Sequence, residues 1–531
     1  MKRKLIFHAH FYQPPRMNPW SGLIEDQKSS SPAGNWNERI YHECYLPNTA
    51  AVIKNPEGQE ETVNNFEYMS FDIGPTLSNW MAEKYIATYS SILAADWKNN
   101  NAMTLPYNHT ILPLDTPQRR HAQIAWGIEE FTVRFKRKPE GMWLPECAVN
   151  YDTAEDLVRA GIKYIVLTPG QAVSFKRLYG KQQYYISDTR LDIRRPYRLK
   201  TWAGYLDVFF ANEELGVDIS FRKALDDPVK FADNIEKAFG SKHSEDLVIT
   251  IVTDGETFGH HQKGTEKGLA YLLKYELPRR GIEVTNFSEY LNEHPPGWAV
   301  RLKDDSSWSC SHGIERWRSA CGCGAEEGSD LDWRKPLREA LSVLSDDIMA
   351  LYIEKTEGLF KIGPVEALND YGEVLTDCSR AHEFRKRHLR EECYVDNDLL
   401  MIMEMLYSSF YMFTSCGWFF GSLSRLEPIQ NLSFALRAIQ IARELWDVDF
   451  EMEFVEKLKE YEGAFYIWNG VVKNRYMSPE QLAREYVKVY IYTGASRDKW
   501  GDWYITASRD GALIKIALEH IRTGQTFHYE E

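Results

Sequence analysis

A chain of 531 residues is too long for one ordinary domain and suggests two or three. With 44 % hydrophobic residues it can build a large packed core, which excludes a largely disordered protein. A net charge of −14 at pH 7 repels polyanions, so nucleic acid is excluded as a favoured partner and a neutral one is compatible.

The chain opens on "MKRKLIFHAHFYQPP". Its apolar run is cut by His8 and His10 and then by Pro14 and Pro15, so it reads as a strand rather than a signal peptide. Further strands are expected at Met103–Tyr107, Gly141–Pro145, Tyr164–Thr168, Leu206–Ala211 and Leu247–Thr253. Helical patterns lie between several of them, as at Thr153–Ala160 and Gly268–Tyr275. Such alternation argues for a parallel α/β sheet, open or closed into a barrel. Polar residues cluster just after strand ends: His8 and His10, His109, Glu146, Asn212 and Asp254. In a βα barrel, active-site groups gather at that end.

From about residue 330 the texture changes. Leu337, Leu341, Leu344, Ile348 and Leu351 recur at helical spacing, as do Leu432, Leu436, Ile439 and Trp446. "SPEQLAREYV" starts a helix, with Ser478 as cap, Pro479 in the first turn and Gln481 three residues on. Strand signals are sparse, so a helical bundle is expected. The resulting division is a catalytic barrel over 1–300, a Cys- and Trp-containing connector over 301–330 that contributes to the active site, and a helical domain over 331–531.

Two stretches carry candidate chemistry. "GMWLPECA" ends an apolar run in Glu146, and "TDGETFGHH" ends one in Asp254. Two carboxylates from separate strand ends can meet across a barrel mouth, the arrangement that glycoside cleavage requires. Glu256 is the rival to Asp254. The histidines at 8, 10, 109, 260 and 261 raise the question of a metal, but there is no HExxH and no paired CxxC. The expectation is therefore histidines that bond sugar hydroxyls or brace the cleft, with no metal ion and no cofactor. Cys310, His312, Cys321 and Cys323 do not follow a familiar zinc spacing and are expected to pack a loop, a structural metal or redox pair being the alternative. No phosphate-binding glycine loop occurs. Scattered cysteines and the lack of an apolar run of membrane-spanning length point to the cytoplasm and away from a membrane partner.

Taken in order, these segments resemble glycoside hydrolase family 57, retaining enzymes of α-glucans. "HAHFYQPPR", "LPYNHTILPL", "WLPECA", "TDGETFG" and "SSWSCSHGIERW" are similar to the five regions of that family. "SFDIGPTLSNW" and "SCGWFF" resemble an amylase- or mannosidase-like subgroup with a helical C-terminal domain of uncertain role. The resemblance implies an α/β fold, a distorted (β/α)7-type barrel followed by an α-helical bundle domain. It implies Glu146 as nucleophile and Asp254 as general acid/base. His8, His10, Gln13, His109, Trp143, Asn212, Glu256, His260, Trp308 and Trp317 would bind substrate, an oligo- or polysaccharide of α-1,4-linked glucose. The alternatives are an α-glucan transferase using the same carboxylates, or a metal-dependent α-mannosidase- or deacetylase-like enzyme. The chain departs from the subgroup at Gly421–Ser422 and Ala320, where acidic residues are expected, and in "FFANEELGVDIS". Those changes bear on substrate choice, and the oligomeric state stays open.

Overall fold

The computed structural model describes residues 2–240, 245–324, 328–391, 398–494 and 497–531. The chain divides into two compact units. The first comprises residues 1–13, 27–115 and 127–314; the second comprises 14–26, 116–126 and 315–531. The second unit thus borrows two short N-terminal segments that a simple division at residues 300 and 330 does not foresee.

The first unit is α/β. Its central strand, Arg3–Phe11, is buried from Lys4 to Phe11. It pairs in parallel with Leu247–Asp254 on one side. On the other it pairs with Ile282–Val284 along its lower half and Ser70–Ile73 along its upper half. A second, mixed sheet runs in the order Tyr164–Leu167, Tyr205–Phe210, Tyr197–Lys200, Trp298–Leu302, Ala172–Arg177, Gln183–Tyr185. Leu247–Asp254 and Tyr164–Leu167 are near-continuous apolar runs because both faces are covered, the pattern of buried parallel strands. Helices such as Tyr151–Arg159 and Pro228–Phe239 supply the cover.

Two expected strands, Met103–Tyr107 and Gly141–Pro145, are reduced to single-residue parallel pairings: Phe71 with Ala102, Thr104 with Met142, and Gly141 with Tyr164. Pro106 and Pro145 lack the N–H that a ladder needs, and the chain turns sharply just beyond each. Ala211 pairs with Thr250 in the same way.

In the second unit, the helices Arg334–Thr356, Asp398–Tyr411 and Leu426–Trp446 bury the expected leucine and isoleucine stripes. The Ser478 cap forms as a reciprocal pair. Ser478 Oγ accepts from Gln481 N at 3.2 Å, and Ser478 N donates to Gln481 Oε1 at 2.9 Å. The expectation of helices to the C-terminus fails, however. Arg497–Trp500, Trp503–Asp510, Leu513–His520 and Thr526–Glu530 form an antiparallel four-stranded sheet. Its alternate residues Ile505, Ala507, Ile514, Ile516 and Leu518 are buried with Leu482, Ala483 and Tyr486 of the preceding helix. The period-two pattern and the glycine of a two-residue turn, Gly511 at φ +65°, were the available signals.

Candidate active site

The upper end of the Arg3–Phe11 strand organises the first unit's polar cluster. Alternation along a strand puts His8 and His10 on one face. Parallel pairing sets His10 beside Asp72 on one side and Asp254 on the other. Gly255 follows Asp254 because a Cβ there would lie 2.3 Å from the ring of Phe11.

Asp72 is fully buried and holds both histidines. Its Oδ1 lies 3.0 Å from His8 Nε2 and its Oδ2 lies 2.7 Å from His10 Nδ1. Burial pushes the Asp72 carboxyl up, but the charge and hydrogen bond of His10, joined by His8, prevail and hold it below its ordinary value. His10 shows the converse. Burial pushes it down, and the charges of Asp72, Asp254 and Glu256 with the Asp72 hydrogen bond outweigh that, leaving it at about 9. For His8 burial prevails over Asp72 and its imidazole is held down. The His8–Asp72 contact is therefore a hydrogen bond from a neutral ring, and the ion pair is His10–Asp72. A carboxylate only accepts, so His8 donates from Nε2 and its Nδ1 accepts from Ser70 Oγ at 3.1 Å.

The chain continues to His109, whose Nε2 is 3.1 Å from His10 Nε2. Burial and the His10 charge hold His109 well below its ordinary value, so it is neutral and accepts from the His10 imidazolium. Rings brace the series. His109 stacks on Tyr12 at 3.7 Å, and His8 and His10 stack on Trp143 at 4.9 and 5.2 Å. Trp143 is fully buried, and its Nε1 has no hydrogen-bond partner among the described residues.

Glu146 sits in left-handed backbone at φ +59°, followed by Cys147 at +50°; His109 is at +54°. Such conformations cost about 1 kcal/mol or more at a non-glycine residue and persist only where the surroundings enforce them. Here Trp308 N donates to the Glu146 carbonyl at 3.0 Å, Trp308 Nε1 donates to Oε2 at 3.0 Å, and Ser309 Oγ donates to the same oxygen. Trp308 also meets Trp143 edge to face at 5.3 Å. The carboxylate is thus fixed in orientation by one oxygen.

Asp254 ends its strand exposed, whereas Glu256 is buried. Glu256 Oε1 accepts from Tyr45 OH at 2.7 Å and from Tyr12 N at 3.1 Å, and Gln13 Nε2 donates to Tyr45 OH at 3.0 Å. Burial, reinforced by the charge of Asp254, raises Glu256 to about 7 against the Tyr45 hydrogen bond. The thiol of Cys147 reads the local field: burial raises it strongly, and the charges of Glu146, Glu213, Asp254 and Asp72 add to that. Four carboxylates from separate segments therefore act on one point.

His8, His10, His109, Trp143, Glu146 and Trp308 lie together, and Asp254 and Glu256 join them through His10. The remaining residues are placed differently. Asn212 Oδ1 accepts from Leu215 N at 3.2 Å and caps the helix Glu213–Arg222, so the side chain serves the helix start. His260 pairs with Glu43 and meets the edge of Trp36. Trp317 belongs to the second unit and is fully buried. Residues missed in the sequence are Asp72, Ser309, Tyr45 and Glu213. Glu213 is exposed, its carboxyl is raised by partial desolvation, and it lines a cavity of about 620 Å³ with Pro169, Asp188 and Arg190. An aspartate inside the apolar run "SFDIG" was the one available signal for Asp72.

Among the described residues, no helix is long and apolar enough to cross a membrane. No curated protein matches the chain. Of solved structures, an exo-type maltose-forming amylase from Pyrococcus sp. ST04 is similar, at 15 % identity and TM-score 0.62 over 93 % of this chain and 85 % of that one. A family 57 branching enzyme from Thermococcus kodakaraensis follows at 16 % identity and TM-score 0.55 over 90 % and 97 %. An α-amylase from Thermotoga maritima matches at 14 % identity and TM-score 0.51 over 89 % and 98 %. The model of a domain of unknown function, DUF3536, matches residues 330–527. The model described as glycosyl hydrolase family 57 matches residues 5–303, and the chain belongs to that family.

Proposed function

We propose that the protein is a retaining glycoside hydrolase of α-1,4-linked glucans, with Glu146 as nucleophile and Asp254 as general acid/base. The observation that carries the reading is Glu146 itself, a carboxylate in left-handed backbone held by Trp308 and Ser309 within a family 57 chain. The single-residue pairings support a barrel. Arg3–Phe11, Ser70–Ile73, Ala102–Thr104, Gly141–Met142, Tyr164–Leu167, Tyr205–Ala211 and Leu247–Asp254 follow one another by parallel pairing and return to the first. That order supports a seven-stranded ring, with Glu146 beyond the C-terminal end of one strand and Asp254 the last residue of another.

A Glu146 oxygen attacks the anomeric carbon as Asp254 gives its proton to the departing glycosidic oxygen. The bond formed is a glycosyl ester on Glu146. Water then attacks the same carbon, Asp254 takes its proton, and the ester breaks. The His10 imidazolium, its two N–H groups committed to Asp72 and His109, supplies positive charge beside Asp254. Asp254 takes the proton role over Glu256 because it is exposed at its strand end, while Glu256 is occupied by Tyr45 and Tyr12.

Glu146→Gln and Asp254→Asn should each lower turnover of maltooligosaccharides by about 10³-fold or more with an unchanged circular dichroism spectrum. The acid/base assignment is wrong if Glu256→Gln abolishes activity and Asp254→Asn does not. The similarity to a branching enzyme favours a second reading, in which a sugar hydroxyl replaces water. Reducing ends would then barely rise on amylose while branch points accumulate.

A further inference from the structure

We propose that the open face of the mixed sheet in the first unit holds α-glucan chains that carry phosphate monoesters, apart from the site of cleavage. On the covered face Phe175, Val300, Leu199 and Leu206 pair across four strands, and all are buried. The next residues along each strand point to the other face. There the register sets Tyr185, Ser174, Arg301, Lys200 and Tyr205 in one row across five strands. At about 4.8 Å per strand the two tyrosines stand about 19 Å apart. A second row places Lys176 and Arg198 on either side of Ala299, with Asp207 beyond Arg198. Tyr205 opens its strand, whereas Asp254 closes its own, so the row stands at the strand end away from the proposed catalytic carboxylates.

The row is electrostatically unfavourable on its own. Arg301 and Lys200 are neighbours on adjacent strands, each one residue after the paired Val300 and Leu199. Like charges side by side on a sheet destabilise it. Both are exposed, as is Lys176, and among the described residues none of the three makes a side-chain hydrogen bond or an ion pair. Arg198 differs: its Nε is 2.9 Å from Asp207 Oδ1, and its guanidinium lies over the Tyr205 ring at 5.4 Å. Asp207 is thus committed to Arg198. Lys176, Lys200 and Arg301 stay uncompensated in a chain whose net charge is −14. An anionic ligand supplies the missing charge.

The aromatic residues identify what carries the anion. Tyr185 and Tyr205 are 48 % and 58 % exposed at the two ends of the row. Trp202 is 97 % exposed in the turn that leads into Tyr205, closed by Thr201 N donating to the Gly204 carbonyl at 2.9 Å. Open flat rings with polar tips suit the faces and hydroxyls of sugars. A protein partner fits less well, because interface cores are apolar and poor in lysine, and here the centre of the face is Lys200 and Arg301. A polyanion such as nucleic acid meets the repulsion of the whole chain. A neutral polymer with scattered phosphates meets little of it and engages both the rings and the cations. Arginine forks onto phosphate oxygens, and lysine pairs with them as a point charge. That the sugar is α-linked glucose rests on the function proposed above; the capture of phosphate-bearing sugar does not.

The test uses the full chain carrying Glu146→Gln, so that glucan is not consumed, run in native gels. One gel contains amylopectin that carries phosphate monoesters, and the other the same amylopectin after alkaline phosphatase. The dissociation constant from retardation should be about 10-fold lower on the phosphorylated glucan. The difference should shrink as salt is raised. Lys200→Ser combined with Arg301→Ser should abolish the difference and leave binding of the treated glucan unchanged. Tyr185→Ala combined with Tyr205→Ala should weaken binding of both glucans. These are surface positions, and the circular dichroism spectrum should not change. With Glu146 intact, the same substitutions should leave turnover of short maltooligosaccharides at the wild-type rate. Equal retardation by the two glucans, or a difference that survives the paired serine substitutions, overturns the proposal. So does an RNA oligonucleotide bound as tightly as the phosphorylated glucan, or a fall in short-substrate turnover in the surface variants. A chain that holds phosphorylated glucan through these residues but cleaves no glucan sinks the proposed function and leaves the binding face standing.

Discussion

Both units bury charge, and they do so in opposite ways. In the second unit Arg522 lies between two carboxylates. Its Nε and Nη2 each donate to Glu404 at 2.8 Å, and Nη1 is 2.9 Å from Asp502. Glu404 is 1 % exposed. This is planar, bidentate pairing, and against burial the charges of Asp502 and Glu404 hold the Arg522 guanidinium well above its ordinary value. In the first unit one buried carboxylate, Asp72, serves two imidazoles, and a third follows at 3.1 Å. His10 is held near 9 and Glu256 near 7, so this cluster changes charge within reach of neutrality. Strained backbone at His109, Glu146 and Cys147 adjoins it. A buried arginine forked onto a carboxylate is scaffold; a chain of buried groups that titrate beside strained backbone marks chemistry.

The largest effect on folding should come from breaking the closed pair. Glu404→Gln leaves Arg522 buried with one charged partner and should cost about 3–5 kcal/mol, read as a shift of the urea midpoint. An unshifted midpoint would remove Arg522–Glu404 from the scaffold.

Glu256 should act next, and with a pH dependence. Its folded value of about 7 lies above the unfolded one of 4.5, so the folded state keeps a proton the unfolded state has lost. Stability is fully present below pH 4.5 and falls as pH rises through 7, by up to about 3 kcal/mol. Glu256→Gln should flatten that fall. His10 adds a second loss: its contribution is complete below 6.5 and disappears as pH rises through about 9. An unfolding midpoint that is level from pH 4.5 to 9 would contradict both.

Asp72→Asn should follow, at about 10²-fold in kcat/KM on maltooligosaccharides. The variant keeps the shape but removes the charge that holds His10 up. The alkaline limb of the pH profile should therefore move to lower pH. Loss of activity with an unmoved alkaline limb would mean that Asp72 serves folding alone.

Much of the first unit was legible in the sequence, because buried parallel strands are unbroken apolar runs and their polar residues stand at the ends. His8, His10, Glu146 and Asp254 were visible for that reason. Asp72 was hidden inside its run: a charged residue in a short strand reads as a break unless its two histidine partners are known, and they are 62 and 64 residues away. Ser309 was hidden because its role depends on a turn that brings it back to Glu146. In the second unit the helical stripes were clear, but they masked the alternation of "WYITASRD" and "LIKIALEH", which forms the terminal sheet.

The smallest expected effect separates a helix cap from a ligand contact. Asn212 stands at a strand end beside the carboxylates, which is where a sugar-binding residue belongs, yet its Oδ1 is bonded to Leu215 N. Asn212→Ala should cost about 1 kcal/mol of stability, the ordinary price of a lost cap. Asn212→Asp keeps the capping oxygen, adds negative charge at a helix N-terminus and removes the Nδ2 donor. If the residue only caps, the aspartate variant keeps wild-type stability and wild-type KM. If Nδ2 also holds a sugar hydroxyl, stability is kept and KM for maltooligosaccharides rises, by about 10-fold for one such hydrogen bond. The cap geometry favours the first outcome: the oxygen fixes the amide plane toward the helix, and Asn212 N is itself tied to the Thr250 carbonyl at 2.7 Å.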